Sequence, residues 1–130
     1  FRRVLFRSRP TASLPAGEAV LERRRYVMHR RIERRRDIAK KVKAQQGHTC
    51  RACGLQFTDL YGPLGQEFIE VHHLRPLASL AVDAAVRYDL REDYAVLCAN
   101  CHRMIHRLPD VSDLEALQAI IEDARTRQRA

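Results

Sequence analysis

A chain of 130 residues with a formal net charge of +8, no Trp and 6% aromatic side chains has the size of a single domain with a modest apolar core. No stretch reaches the length of a membrane span. The opening residues, Phe1 to Arg9, mix apolar side chains and arginine too finely for a secretory signal. The composition therefore speaks against a membrane protein and a secreted disulfide scaffold, and for a reducing, cytoplasmic setting.

Residues 1–17 hold Pro10, Pro15 and Gly17 and are expected to form a flexible tail. Residues 18–46 contain no Gly or Pro and carry eleven Lys/Arg against four Asp/Glu. They are expected to form one long basic helical arm that stops at Gly47. Leu21, Met28, Ile32, Ile38 and Val42 give that helix only a patchy apolar stripe. Residues 47–130 hold nine Lys/Arg against twelve acids, so a basic arm precedes a mildly acidic domain. Such an asymmetry fits a polyanion, nucleic acid above all. Arg24, Arg31, Arg35 and Lys41 are the arm's candidate phosphate contacts, giving salt-dependent affinity that is blind to base sequence.

Further along, Cys50 to Cys53 forms a tight knuckle, and Phe57 to Leu60 a short helical turn. Phe68 to His72 alternates apolar and polar residues and reads as a strand ended by Pro76. Leu77 to Tyr88 reads as a loop with a helical turn, and Tyr94 to Leu97 as a second strand. A helix is expected from Ala99 to Arg107. A last helix is expected from a cap at Asp110 or Ser112 to about Arg127, with Leu114, Leu117, Ile120 and Ile121 as its apolar face. The fold class is thus α+β.

The four cysteines form two Cys-x-x-Cys pairs, Cys50 with Cys53 and Cys98 with Cys101. Each pair places two sulfurs on one side of a turn, and two pairs complete a closed tetrahedral zinc site. This arrangement fits a structural zinc better than two disulfides. A zinc held there would pin the start of the domain to its end. Its binding free energy, roughly 10–16 kcal/mol, would rival the whole stability of a domain of this size.

His102 and His106 lie four apart on an expected helix, so they share one face and suit a single metal ion. His72 and His73 are adjacent on an expected strand and must point to opposite sides. One can ligate metal while the other faces substrate. His29 and His48 stand apart from any such grouping.

Together, Cys-x-x-Cys, Glu70-Val-His-His-Leu-Arg-Pro-Leu77 and Leu97-Cys-Ala-Asn-Cys-His-Arg-Met-Ile-His106 resemble the HNH endonucleases over roughly residues 47–108. The resemblance is nearest to the zinc-stapled branch that includes McrA-type 5-methylcytosine-dependent restriction enzymes. It implies a ββα-metal core of two strands and a helix, stapled by the four-cysteine zinc and preceded here by the basic arm. It makes His73 the general base and places His72, His102 and His106 around one catalytic divalent ion. Zinc, nickel, cobalt and manganese suit imidazole, and a phosphate can recruit magnesium. The family's central Asn falls at Asp93, a departure, because a carboxylate accepts hydrogen bonds but has no amide to donate. Arg75 and Arg103 stand beside the motif as candidate phosphate contacts, and Asn100 reads as a turn residue of the second knuckle.

The implied activity is hydrolysis of DNA phosphodiester bonds, with restriction or defence as its setting and duplex DNA as its partner. A homodimer would let a single-site enzyme cut both strands. Two other readings stay open: a non-catalytic zinc module that binds nucleic acid, and a nuclease for RNA or single strands. The surplus of histidines speaks against the first.

Overall fold

The computed structural model describes residues 17, 19–26, 36–76 and 85–130. Two units divide the chain, Phe1–Arg30 and Arg31–Ala130. In the first, residues 19–26 carry no helix, so the expected helical arm does not hold there. Val20, Leu21 and Tyr26 are exposed, so no apolar burial supports a helix, and packing is what stabilises most helices. Arg24 stacks its guanidinium over Tyr26. The expected phosphate contacts Arg31 and Arg35 lie outside the described residues.

In the second unit, α1 (Arg36–Gln46) opens with Asp37 in its first turn and closes with Lys43 in its last, as the helix dipole favours. Val42 is fully buried and Ile38, one turn earlier, is partly buried against the core. Gly47 ends the helix at φ 83°, and its N–H donates to Lys43 O at 2.8 Å, a left-handed stop that suits glycine.

The first knuckle follows, with Cys50 N–H bonded to Leu55 O and Gly54 N–H to Cys50 O, both at 2.9 Å. α2 (Phe57–Tyr61) runs into a 3-10 turn at Gly62–Gly65. A Cβ on Gly65 would fall 2.4 Å from the Phe57 backbone, so only glycine lets the turn fold back on α2.

β1 (Glu70–His73) and β2 (Tyr94–Leu97) form an antiparallel pair that sets His72 opposite Ala95 and His73 opposite Tyr94. β1 starts two residues later than the alternation implied, because Phe68 N–H is drawn back to Gly65 O at 3.2 Å. All four residues of β2 are buried. Its outer edge does not face solvent as a bare ladder, which is how exposed edges invite unwanted pairing. The Gln46 amide donates to Leu90 O at 2.8 Å and Tyr94 O at 2.9 Å and accepts from Val96 N–H at 3.3 Å. Arg51 N–H adds a bond to Val96 O at 3.0 Å.

The strands are joined across residues 74–93. Residues 77–84 lie outside the described part, and 85–89 are irregular. At the base of this connection Leu74 N–H donates to Asp93 O at 2.9 Å.

α3 (Ala99–Ile105) is capped by Cys98, whose sulfur accepts from Cys101 N–H, so the second knuckle is the helix start itself. Asn100 belongs to that helix, not to a free turn. His106 keeps right-handed helical dihedrals at the C-cap, which preserves its alignment with His102. α4 (Leu114–Arg129) is capped by Asp113 through Ala116 N–H at 2.9 Å. This corrects the expected cap at Asp110 or Ser112, because Asp110 spends its carboxylate on Ser112. Leu114 and Leu117 are buried, but Ile120 is 54% exposed and is not part of the apolar face.

The result is a small α+β fold. Val42, Ile69, Val96, Leu97, Ile105 and Leu117 form its core, with about 1.5–3 kcal/mol for each large side chain fully buried. Among the described residues no helix is long and apolar enough to cross a membrane.

Candidate metal centres

The two knuckles meet. The ligand atoms of Cys50, Cys53, Cys98 and Cys101 all lie within 4.8 Å of one another, and none of the four is in a disulfide. Cys53 Sγ and Cys98 Sγ are 3.8 Å apart. Four sulfurs at the usual bond length of about 2.3 Å from a tetrahedral ion stand about 3.8 Å apart, so the cluster is already near the spacing a metal would impose. α4 braces the first knuckle from outside: Gln118 donates to Arg51 O at 2.7 Å and Arg125 to Cys53 O at 2.6 Å.

The thiols are not equal. Burial opposes ionisation of Cys50, but hydrogen bonds from the Cys53, Cys98 and Ala52 backbone outweigh it and lower its pKa. Burial raises the pKa of Cys98 and of Cys101. Those two need a cation to ionise, so metal binding and thiol deprotonation are coupled.

A second cluster joins His72, His102 and His106, whose ligand atoms also lie within 4.8 Å of one another. β1 supplies the first and α3 with its C-cap the other two. The His72 ring centroid is 5.2 Å from that of His102 and 4.9 Å from that of His106. His72 is 2% exposed, and its Nε2 lies 2.7 Å from Val111 O. A carbonyl can only accept, so Nε2 carries the proton and Nδ1 keeps the lone pair. Burial, reinforced by the neighbouring imidazoles, lowers its pKa to about 4 against the pull of that carbonyl. His72 is therefore neutral at pH 7, the form that ligates.

His102 is fixed in a different way. Its Nδ1 lies 2.9 Å from Glu70 Oε1, which leaves Nε2 as the ligating nitrogen. A carboxylate behind a ligand imidazole orients the ring and strengthens it as a donor. Glu70 and His72 are two apart on β1 and share a face, so one strand provides both a ligand and a support. The motif contains Glu70, but its composition assigns that residue no role; the period-two offset from His72 is the one signal for it in the sequence. The Val111 carbonyl leaves no signal, since any residue offers one. The donor sets fit metal ions at both centres: four thiolates at one, three imidazoles at the other.

His73 points to the opposite side of β1 and is partly exposed. Its ring lies 4.9 Å from Tyr94 and 6.1 Å from Tyr88, centroid to centroid. The Asp93 carboxylate accepts from Asp89 N–H at 2.7 Å and lies 3.5 Å from the Arg75 guanidinium, so it braces the turn that leads into β2. Arg75 is further engaged with Arg87 O at 3.2 Å and over the Tyr88 ring at 4.8 Å. Arg103 lines a cleft of about 490 Å³ with Glu70, His102 and His106, joined there by Arg107, which no sequence motif singles out. Lys41 is exposed on α1.

The structure thus brings together all seven predicted metal ligands, four at one centre and three at the other. No protein-family model matches the chain, and no curated protein matches it in sequence.

Proposed function

We propose that this chain is a metal-dependent endonuclease of the HNH type, acting on DNA in restriction or defence. The observation that carries the reading is the split across β1. His72 turns into an imidazole cluster separate from the thiolates, while the adjacent His73 turns away from it and keeps access to solvent. A zinc held by Cys50, Cys53, Cys98 and Cys101 would serve as a staple only.

A divalent ion held by His72, His102 and His106 would supply charge stabilisation at a non-bridging phosphate oxygen and at the departing 3′-oxygen. The remaining work belongs to the chain. His73 accepts a proton as a water oxygen attacks phosphorus. The P–O3′ bond breaks, leaving a 5′-phosphate and a 3′-hydroxyl protonated from solvent. Tyr94 and Tyr88 flank the His73 ring, and Asp93 holds the turn beside it. Arg103 and Arg107, beside the imidazole cluster, meet flanking phosphates.

The test is a plasmid-cutting assay across magnesium, manganese, cobalt, nickel and zinc, on methylated and unmethylated DNA, with single strands and RNA as further arms. Cutting should vanish with EDTA and with His73→Ala while the fold is retained. A folded His73→Ala protein that cuts as fast as the parent would remove His73 as the base. Preferential cutting of RNA or single strands would reassign the substrate, and binding without cutting under every metal would leave a zinc-stapled binding module.

A further inference from the structure

We propose that the cleft between α1 and residues 85–93 seats DNA phosphates, with Arg87 and Arg91 as its contacts and Lys41 extending the track along α1. The choice of DNA as the polyanion rests on the nuclease reading above; the site itself rests on where the charges of this cleft are spent.

The cleft encloses about 600 Å³ and is lined by Gln45, Tyr88, two acids and the two arginines. Both acids accept backbone N–H bonds, and Asp89, which is exposed, also feels the charge of Arg91. Asp89 Oδ1 accepts from Arg91 N–H at 2.8 Å and Glu92 N–H at 2.9 Å. Asp93 Oδ2 accepts from Asp89 N–H and pairs with Arg75. Arg75 is therefore already paired within the fold, with its side chain 47% exposed. Arg87 and Arg91 are exposed, and neither makes an ion pair among the described residues. Arg91 Nε donates to Gln45 Oε1 at 3.2 Å, which holds the guanidinium at the cleft, and its two terminal nitrogens make no hydrogen bond among the described residues. Lys41 stands one turn before Gln45 and so on the same face of α1.

Continuity with the histidine side favours a nucleic-acid backbone over a small anion. Tyr88 lines the cleft and its ring also contacts His73 edge-on at 6.1 Å. One side chain thus separates the arginines from the proposed base, and a strand crossing His73 would carry its neighbouring phosphates into the cleft. Guanidinium groups suit such contacts through paired N–H donors.

The experiment measures binding of a short fluorescent DNA duplex to the metal-loaded full chain by anisotropy, across a series of KCl concentrations. Arg87→Ala/Arg91→Ala should weaken binding roughly ten-fold at moderate salt and flatten the log–log salt slope by about two, one counterion for each guanidinium removed. Arg87→Lys/Arg91→Lys should keep the slope, because it keeps the charge. Arg127→Ala/Arg129→Ala, with the same change in net charge at the far end of α4, should match the parent. An unchanged slope in the alanine pair overturns the proposal. So does an equal loss in the lysine pair or in the α4 control. Hydrolysis of bis(p-nitrophenyl) phosphate, too small to span the cleft, should be the same in the parent and the alanine pair. If no variant hydrolyses it or cuts plasmid, the nuclease reading falls, and the anisotropy slopes still judge the cleft by themselves.

Discussion

Glu70 Oε1 sits 2.9 Å from His102 Nδ1, and this pairing fixes which nitrogen of His102 can reach a metal. Replacing Glu70 with Gln keeps the size but weakens the hold on the tautomer, since the amide can turn its NH₂ toward the ring. The expected outcome for Glu70→Gln is a 10- to 100-fold loss of affinity at the histidine centre with little change in the thermal midpoint. Competition between the protein and a chromogenic chelator for cobalt or nickel would read it. An affinity equal to the parent would mean that the packing of α3 alone orients His102.

The cysteine cluster should behave as part of the fold. Cys98 is both a cluster member and the cap of α3, so Cys98→Ala should remove metal and helix start together. We expect the variant, and the parent stripped by a strong chelator, to lose the cooperative thermal transition followed by circular dichroism. Adding zinc back should restore it in the parent alone.

Acid should act through His72. Its folded pKa of about 4 lies below the ordinary 6.5, so the unfolded chain binds the extra proton first. The associated stability is complete above pH 6.5, falls as pH drops, and is gone below about 4. The gap corresponds to about 3 kcal/mol. Urea unfolding of protein carrying one equivalent of zinc, enough for the thiolates alone, should show that loss between pH 7 and 4 relative to His72→Gln. The glutamine can still donate to Val111 O and does not titrate.

Gly65→Ala tests the packing of the 3-10 turn on α2. With a Cβ only 2.4 Å from the Phe57 backbone, the backbone itself must shift. A loss of about 1–3 kcal/mol is expected, read as a lower urea midpoint, with metal content unchanged because the clash lies outside both clusters.

How legible these features are depends on the range over which each is decided. The two knuckles and the His102–His106 pair are set by spacings of three and four residues, so their geometry can be read directly. The opposite facing of His72 and His73 follows from the two-residue period of a strand. The supports of the imidazoles are not legible, because Glu70 meets His102 across 32 positions and Val111 meets His72 across 39. Only the packing of α3 and the turn before α4 brings those partners in. Gln46 gives no hint that it closes the edge of β2, since nothing in its neighbours names a strand fifty residues on. The expected arm holds as a helix at Arg36–Gln46, where Val42 is buried, and departs from it at residues 19–26, whose apolar Val20, Leu21 and Tyr26 are exposed. At α4 the expected caps Asp110 and Ser112 bond to each other, and the cap falls one residue later at Asp113, just before the buried Leu114.

The bond from Leu74 N–H to Asp93 O closes the connection between the strands at its root, and Tyr88 and Leu90 pack it against the core further along. Chain-closure entropy rises only slowly with length, so residues added within positions 77–84, with Tyr88 and Leu90 kept, should leave the paired strands undisturbed. The scaffold thereby offers a socket, a place where new residues could be spliced in beside the same histidines.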